Sequence, residues 1–562
     1  MIAHPEGSVV LKAVSQQRGN GLWDAIWDGG ANRQLPLMMP STMPPAETAT
    51  QGQETTHKPY SFGKLALGSS MRVFHLLLLI GIGFALTPFV VHTLGAEQYG
   101  LWALANAFIG YYSLLDLGLS GAVFTHMSHA IGARDYENGT NIYTTGLSIF
   151  SALGGVLVVV TLCISAAVLL LHPSHGVTLA LVILIIGFQT SVSFPMRAPF
   201  GVLNAGSHFE MTTAVLISAA VLRTIGTVLV LLAGKGVLGL AVVNLLAWIP
   251  GYVFVCFAVH WRYPFIRMRS LGKWHRETAH TLFAFGAPVL VGQIADRIRL
   301  QTDTIVVSLF LGLTAVTHYN IATTLVLYYM DGITAIIGVL TPVLTMQMGA
   351  RDEAGMRSSI LTGTRLAICG GGFALFGLVM WGRVFIDRWM GHAYADAYPV
   401  LVILSVAMFF DLWQSTTVNA LYATLHQKTY AKVNLSEAVA NIVLSLLLAP
   451  RLGMIGIALG TLIPSIVVRG LVQPRVIERK LGITARRYYA MSLRTGLKTL
   501  ACLFLPGVIA MRFLRPGYPS IFLTAGLSLL AFALPIWYFE FGMYGKEQVR
   551  ARVAGMWARV RA

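Results

Sequence analysis

Apolar stretches of about 20 residues recur along almost the whole chain after Met71, and short polar loops separate them. Two examples are VFHLLLLIGIGFALTPFVV and VLVVVTLCISAAVLLL. A helix of that length crosses a hydrocarbon core of about 30 Å, whereas the residue-by-residue alternation of β-barrel strands is not seen. Because backbone polar groups must be satisfied inside lipid, the stretches are predicted to be transmembrane α-helices.

The expected fold is an all-α polytopic membrane protein with about fourteen transmembrane helices. Six helices fall in each of two successive units, and two more follow at the C-terminal end. An even number of spans returns the chain to its starting side, so the units are predicted to be two parallel six-helix bundles. The expected spans lie near 71–93, 99–125, 142–171, 177–200, 210–233, 237–259, 281–310, 317–345, 359–385, 397–424, 432–450, 455–473, 494–514 and 519–540.

The tetrapeptide Gly-Ala-Arg-Asp occurs twice, at Gly132–Asp135 and again at Gly349–Asp352. The same offset of 217 residues relates Gly95 to Gly312 and the sequence GVLGLA to GMIGIA. Matches in register, in loops and spans alike, indicate an internal duplication. We therefore interpret the two copies, called the GARD loops below, as the same loop between the second and third helices of each half, with no catalytic role.

The distribution of charged residues predicts how the chain is oriented in the membrane. Only 11% of the residues are charged, against about 25% in soluble domains, and the formal net charge is +17. Lys and Arg collect in alternate loops, such as HWRYPFIRMRSLGKWHRE and QPRVIERKLGITARRYY. By the positive-inside rule, these loops, both termini and both GARD loops are expected in the cytoplasm. The same rule explains the basic composition, so no nucleic-acid partner is expected.

Composition also divides the chain into domains. The first 65 residues are polar and are predicted to be disordered, with a start at Met71 as the alternative. The expected parts are a cytoplasmic extension at 1–65, an N-terminal six-helix bundle at 66–270, its repeat at 271–476, two further transmembrane helices at 477–541 and a basic cytoplasmic tail at 542–562.

Motifs for enzymatic chemistry are missing from the sequence. It contains no G-x-S-x-G, no Walker A loop, no H-E-x-x-H and no C-x-x-C, and its four cysteines are widely spaced. No enzymatic activity, metal or cofactor is therefore expected. Two parallel bundles that face each other favour transport by alternating access through a central cavity.

The stretch LTPFVVHTLGAEQYGLWALANAFIGYYSLLDLGLSGAV, Leu86–Val123, resembles the opening two helices of the polysaccharide transporter family. The matching features are Leu94-Gly95, Tyr99-Gly100 and the sequence LDLG that begins at Leu115. DTIVVSLFLG, which begins at Asp303, resembles the seventh helix of the same family, and the resemblance covers roughly residues 70–540. These proteins are the lipid-linked oligosaccharide flippases of the multidrug/oligosaccharidyl-lipid/polysaccharide (MOP) exporter superfamily.

The resemblance implies an activity. Family members move an oligosaccharide, carried on a polyprenyl diphosphate, from the cytoplasmic to the outer leaflet of the inner membrane. The finished polymer goes to capsule, O-antigen or exopolysaccharide. A coupling ion, H⁺ or Na⁺, membrane lipids, and polymerase and glycosyltransferase partners are expected in consequence.

A diphosphate needs cations and a wet cavity to cross hydrocarbon, so arginines inside spans are the first candidates. Arg299 and Arg297 lie in the charged seventh span, and Arg223 lies near the middle of the fifth. Arg365, Arg197 and Arg469 lie nearer the cytoplasmic ends, where snorkelling to headgroups is the stronger alternative. The expected substrate ligands are Arg223, Arg297, Arg299 and Arg365.

Carboxylates inside spans are candidates for coupling an ion, because burial favours their protonated form. Asp296, Arg299 and Asp303 are spaced i, i+3 and i+7, so they share one helix face. A self-satisfied salt-bridge cluster is the alternative for this stripe, and a packing hydrogen bond is the alternative for Asp116. The expected cavity or coupling carboxylates are Asp116, Asp296, Asp303, Asp331 and Asp411, with Glu437 as a further isolated carboxylate.

Four other classes of protein are alternatives to the polysaccharide flippase. A cation-coupled multidrug exporter would favour an acidic cavity, and a peptidoglycan-precursor flippase would share the cationic one. A polymerase or ligase would carry a large outer loop, whereas the longest here is near DRWMGHAYADAY. A major-facilitator porter would lack the two extra spans.

Overall fold

A computed structural model describes residues 62–171, 176–264, 274–338, 340–424, 426–513, 523 and 525–529. Nearly all of the expected extension at 1–65, the tail at 542–562 and most of the last expected span lie outside the described residues. The described part is almost entirely helical and contains no strand, which confirms the all-α polytopic fold class.

The described residues contain fourteen α-helices longer than one turn with defined bounds, labelled α1 to α14 in chain order. A 3₁₀ turn, Tyr111–Asp116, follows α2, and a π-helix, Ile466–Val472, follows α12. The helices are α1 Phe62–Leu94, α2 Ala96–Gly110, α3 Leu119–Ala133, α4 Tyr136–Leu171, α5 Gly176–Ala205, α6 Phe209–Leu232, α7 Gly236–Arg262, α8 Arg276–Gly338, α9 Thr341–Gly349, α10 Glu353–Trp389, α11 Ala397–Ala423, α12 Gln427–Ser465, α13 Gln473–Leu481 and α14 Ala485–Phe513.

These labels do not correspond one to one with membrane crossings. In the described residues, nine helical stretches are long and apolar enough to cross a membrane, or ten if the bent pair α2 and α3 forms one span. Two of these stretches, Arg297–Gly349 and Lys428–Leu481, contain a non-helical glycine, Gly312 and Gly453. Each is long enough to cross twice, which adds two crossings. A total of about fourteen stays a prediction.

Residues at the 217-residue offset share backbone conformation as well as sequence. Arg134 and Arg351 are left-handed with φ of 57° and 56°, and each GARD loop continues with an aspartate. The Asp135 carboxylate accepts from the amide of Asn138 at 3.0 Å, and that of Asp352 accepts from Gly355 at 2.8 Å. Both loops are therefore the same tight hairpin, in which arginine ends one helix and aspartate caps the next.

Two further glycine pairs follow the same offset. Gly95 and Gly312 have φ of 81° and 84°, and Gly236 and Gly453 have φ of 60° and 59°. These values favour glycine because it has no Cβ. The turns at Gly95, Gly312 and Gly453 define what we call the short-loop end of the bundle, and the two GARD loops define the GARD end. Domain boundaries at 270 and 476 stay a prediction.

The two halves meet along α2 and α8. A Cβ on Gly100 would overlap the backbone carbonyl of Leu313, and a Cβ on Gly110 would overlap the side chain of Gln301. Small residues at these two points let the helices pack closely. Three hydrogen bonds reinforce the contact. Tyr99 donates to Asn320 at 3.1 Å, and the hydroxyls of Tyr111 and Thr302 lie 2.7 Å apart. Thr317 donates to the carbonyl of Ala96.

Candidate functional site

A buried cluster of four charges lies inside the second half. The guanidinium of Arg299 on α8 pairs with Asp411 on α11, and it reaches Glu437 on α12 at 3.3 Å. Arg469, in the π-helix, contacts Asp411 at 3.0 Å and Glu437 at 2.8 Å. Two cations and two carboxylates therefore balance, which is the condition under which charges are tolerated away from water.

Local structure fixes Arg469 within this cluster. The π-helix adds a residue to the turn that carries Arg469. Its guanidinium donates to Asn434 at 2.7 Å and to Gln473 at 3.1 Å, and it lies over the ring of Tyr430 at 5.4 Å. The expectation that Arg469 snorkels to headgroups is wrong, since the residue is 1% exposed. In the sequence, the isolated carboxylates Asp411 and Glu437 could have indicated this role of Arg469, because each buried carboxylate needs a cation nearby.

Asp303 lies one turn from Arg299 on the predicted shared face of α8. Its carboxylate is buried and accepts hydrogen bonds from Tyr319 and Thr461, each at 2.8 Å. Arg299 and Asp303 both line a small cavity of about 30 Å³, which has room for about one or two water molecules. Among the described side chains, Asp303 forms no ion pair, so its charge is not balanced as those of Asp411 and Glu437 are.

A second ion pair, partly buried, lies in the first half. Asp116, at the end of the 3₁₀ turn, pairs with Arg197 on α5 and accepts from Ser120 at 2.6 Å. The Arg197 guanidinium also stacks on the ring of Phe194 at 4.0 Å. This ion pair ties the break between α2 and α3 to α5.

Arg223 on α6 and Asp331 on α8 belong to different halves, and both lie near the side chain of Tyr328. Both side chains are exposed, although α6 and the second arm of α8 are predicted to be spans. Tyr328, one turn before Asp331, is close enough to interact electrostatically with both. Charged groups inside predicted spans are tolerated beside water or another polar group, so these residues form a candidate polar site.

An apolar groove adjoins this polar group. Its volume is about 380 Å³, and Tyr328 belongs to its lining together with residues of α1 and α10. Gly83 on α1 lets the Tyr328 hydroxyl approach, because a Cβ there would overlap that oxygen. The other lining residues are Ile80, Phe84, Leu325, Tyr329, Phe373, Ala374, Phe376, Gly377, Leu378, Trp381, Gly382, Phe385, Ala525 and Ser528.

The remaining predicted ligands lie elsewhere. Arg297 is half-buried on α8, and the side chain of Asp296 lies outside the described residues. Arg365 on α10 lines a separate pocket near the GARD end. No group of three His, Cys, Asp or Glu side chains in the described part of the chain could hold a metal ion. The residues predicted to bind substrate or a coupling ion therefore lie at several separate sites and do not share one cavity.

Comparison with solved structures shows which known proteins share this fold. The chain is 16% identical to the lipid II flippase MurJ in its inward closed conformation, with a TM-score of 0.63 over 85% of this chain and 99% of that one. It is 16% identical to an inward-facing multidrug resistance MATE family transporter of the MOP superfamily, with a TM-score of 0.62 over 73% and 98%. The chain therefore shares the fold of these two proteins and is a multi-pass membrane protein.

A third structure of the same fold carries a different description. It is a MOP superfamily transporter from Pyrococcus furiosus with a binding pocket of reverse polarity that suggests a different function. It is 16% identical to this chain, with a TM-score of 0.55 over 75% of this chain and 96% of that one.

The family follows from the sequence match. Residues 90–398, more than half of the chain, match the family described as "Polysaccharide biosynthesis protein", and the chain belongs to it. The resemblance to a MOP-superfamily polysaccharide transporter is thereby confirmed. Among curated protein sequences, none matches the chain.

Proposed function

We propose that the protein is a flippase that moves a polyprenyl-diphosphate-linked oligosaccharide from the cytoplasmic to the outer leaflet of the inner membrane. Membership of a polysaccharide biosynthesis family and the MOP fold support transport in such a pathway. One structural observation supports the substrate class. The exposed cation of Arg223 interacts with Tyr328, and Tyr328 in turn lines the apolar groove.

The juxtaposition fits an amphipathic anion. A guanidinium binds phosphate oxygens through paired, charge-assisted hydrogen bonds, so Arg223 is assigned to the diphosphate. The groove, lined by aromatic and aliphatic side chains, is assigned to the first isoprene units of the prenyl tail. The sugar chain then extends into the wet space between the halves, where Tyr328 and Asp331 supply polar contacts.

The other arginines are assigned weaker roles toward substrate. Arg299 and Arg197 already form ion pairs with carboxylates. If either arginine moved to bind substrate, its carboxylate would lose its counter-charge. Arg297 is assigned a secondary role near the diphosphate. Both GARD loops, and both termini, are assigned to the cytoplasm on the positive-inside pattern.

Ion coupling is assigned to the carboxylates that lack an arginine. In the described residues, Asp303 and Asp331 form no ion pair, whereas Asp116 and Asp411 do. Asp303 is the better placed of the two because it is buried beside a small cavity. It would take up H⁺ or Na⁺ as the halves rearrange, and Asp303→Asn should then remove the dependence of transport on the ion gradient.

The first experiment asks, in the protein's own cells, on which side of the membrane the lipid-linked oligosaccharide accumulates. After depletion, a membrane-impermeant sugar probe reports which leaflet holds the polyprenyl-diphosphate oligosaccharide. Accumulation on the cytoplasmic leaflet, with mass analysis of the lipid, supports the proposal and distinguishes a polysaccharide repeat unit from a peptidoglycan precursor. Normal arrival at the outer leaflet overturns it, and drug efflux becomes the activity to measure.

Complementation of the depleted cells then tests the site. Arg223→Ala should lower transport about tenfold or more, because a hydrogen bond to a charged group contributes about 1.5–3 kcal/mol. Arg223→Lys should retain part of the activity, since it keeps the charge but loses the paired geometry. The control is Arg451→Ala, an exposed arginine on α12. Equal transport by Arg223→Ala and the control, at equal membrane levels, would remove Arg223 from the site.

A further inference from the structure

A basic pocket lies at the GARD end, away from the groove. Its volume is about 430 Å³, and it lies between the start of α10 and the loop that joins α13 to α14. Three arginines, Arg357, Arg365 and Arg487, line it together with hydroxyl side chains. It shares no lining residue with the groove. The remaining lining residues are Ala354, Ser358, Leu361, Thr362, Gly482, Ile483 and Thr484.

Helical spacing explains the arrangement on α10. Arg357, Leu361 and Arg365 follow one another at four-residue steps, and Ser358 and Thr362 follow the same step one position later. Residues four apart share a helix face, so the cations and hydroxyls form one strip. The strip is about 12 Å long, because each residue advances the helix by about 1.5 Å.

The loop at Gly482 holds one of these arginines in place. Gly482 is left-handed with φ of 66°, and a Cβ there would lie 2.7 Å from the Arg357 guanidinium. The Nε of Arg357 donates to the carbonyl of Leu481 at 3.2 Å. Arg357 is therefore oriented by the backbone of the loop across the pocket.

The charge of the pocket is strongly positive. Its lining residues, all within the described part of the chain, include no Asp or Glu. Arg357 pairs with Glu353 at 3.1 Å, and Glu353 is 75% exposed. Such exposed pairs contribute little, so an anion can replace Glu353 without a large penalty.

The depth of the pocket matches a lipid headgroup. Arg365 is twelve residues from the start of α10 at Glu353, or about 18 Å along the helix, so the pocket runs from the helix end into a predicted span. Further along α14 from Arg487, exposed apolar side chains include Leu493 and Leu497. A ligand with a phosphate at one end and acyl chains at the other fits both features.

We propose that this pocket binds the phosphate headgroup of an anionic membrane lipid. Basic pockets between transmembrane helices are the expected sites for such headgroups. The three guanidinium groups bind the phosphate oxygens, the hydroxyls of Ser358, Thr362 and Thr484 bind the glycerol oxygens, and the acyl chains lie along α14. The site is separate from the substrate site and does not depend on what the protein transports.

The experiment measures lipid retention by the purified full chain in detergent. Phosphatidylglycerol, phosphatidylcholine and inorganic phosphate are the probes, and native mass spectrometry counts the bound lipid. Phosphatidylglycerol should be retained in preference to phosphatidylcholine. Arg357→Gln, Arg365→Gln and Arg487→Gln should each weaken its binding about tenfold, as expected for one charge-assisted contact, and the triple variant should lose it. Arg486→Gln, an exposed neighbour outside the pocket, is the matched control and should stay within about twofold.

Three results would overturn the proposal. Retention by the triple variant equal to that of the wild type would remove the pocket as the site. Equal retention of phosphatidylcholine would remove the selectivity for an anionic lipid. Displacement of phosphatidylglycerol by an equal concentration of inorganic phosphate would indicate a free-anion site. This last measurement uses the wild-type protein, so it stands even if a variant fails to fold.

Discussion

Arg469 and Glu437 are each 1% exposed, and their side chains meet at 2.8 Å inside the second half. Removing a charge from water costs several kcal/mol, and only a close partner with additional hydrogen bonds compensates. Here Arg299 and Asp411 complete a balanced set. The cluster joins α8, α11, α12 and the π-helix, so it favours one arrangement of these elements over others.

Removing one carboxylate should unbalance the cluster. In Glu437→Gln, two buried arginines share one carboxylate, and we expect the protein to lose about 3–5 kcal/mol of stability. Thermal unfolding in detergent measures the loss. The control Glu353→Gln removes an exposed carboxylate that also pairs with an arginine, and it should cost less than about 1 kcal/mol.

A double variant separates charge from packing. Glu437→Met with Arg469→Met removes one cation and one carboxylate, and it leaves Arg299 paired with Asp411. It should recover much of the stability lost in Glu437→Gln, because well-packed apolar residues can replace a buried ion pair. If Glu437→Gln is as stable as Glu353→Gln, the cluster does not hold the second half together.

At the scale of elements, the GARD loops are the clearest repeat. Both arginines are left-handed although each carries a side chain, and both aspartates accept from an amide three residues later. A non-glycine residue in this conformation costs about 1–2 kcal/mol, which the capping hydrogen bonds help to offset. The loops are therefore explained by hairpin geometry alone.

A purely structural role makes a specific prediction. Asp135→Ala and Asp352→Ala should each lower the free energy of unfolding by about 1 kcal/mol, the usual cost of losing a cap. Arg134→Gly and Arg351→Gly should be neutral or slightly stabilising, since glycine adopts the left-handed region without penalty. Denaturant unfolding in detergent measures both. Asp135→Asn and Asp352→Asn keep a capping oxygen and serve as controls. A loss of transport per folded molecule in any of these variants would contradict the interpretation.

Spans and repeats were predictable because their signals are local. The length of an apolar stretch is enough to predict a span. The left-handed turns at Arg134 and Arg351 follow from the same four-residue sequence in each half. The partners of the buried charges were not predictable in this way. Arg299 is separated from Asp411 by 112 residues, and no local sequence pattern marks the π-helix that positions Arg469. The sequence showed that each charge needed a partner, and only tertiary packing selects which one.

At the scale of the molecule, the alternating access expected of two facing bundles would require α2 and α8 to separate at the short-loop end. In this structure they touch there, with Gly100 against the carbonyl of Leu313 and Tyr99 hydrogen-bonded to Asn320. Backbone cannot move aside as a flexible side chain can. A methyl group at Gly100 should therefore disfavour this closed contact more than it disfavours an arrangement in which the two helices are apart.

We expect Gly100→Ala to open the short-loop end. Overpacking typically costs about 1–3 kcal/mol, which corresponds to a shift of about tenfold or more in the balance between closed and open arrangements. The reporter is Asn320→Cys, whose labelling by a membrane-impermeant maleimide should rise about tenfold when Gly100→Ala is added. Gly121→Ala is the control, because a Cβ there meets nothing within 4 Å. Unchanged labelling, in protein that is folded and present at normal levels, would mean that the contact between Gly100 and Leu313 persists throughout transport and is not part of a gate.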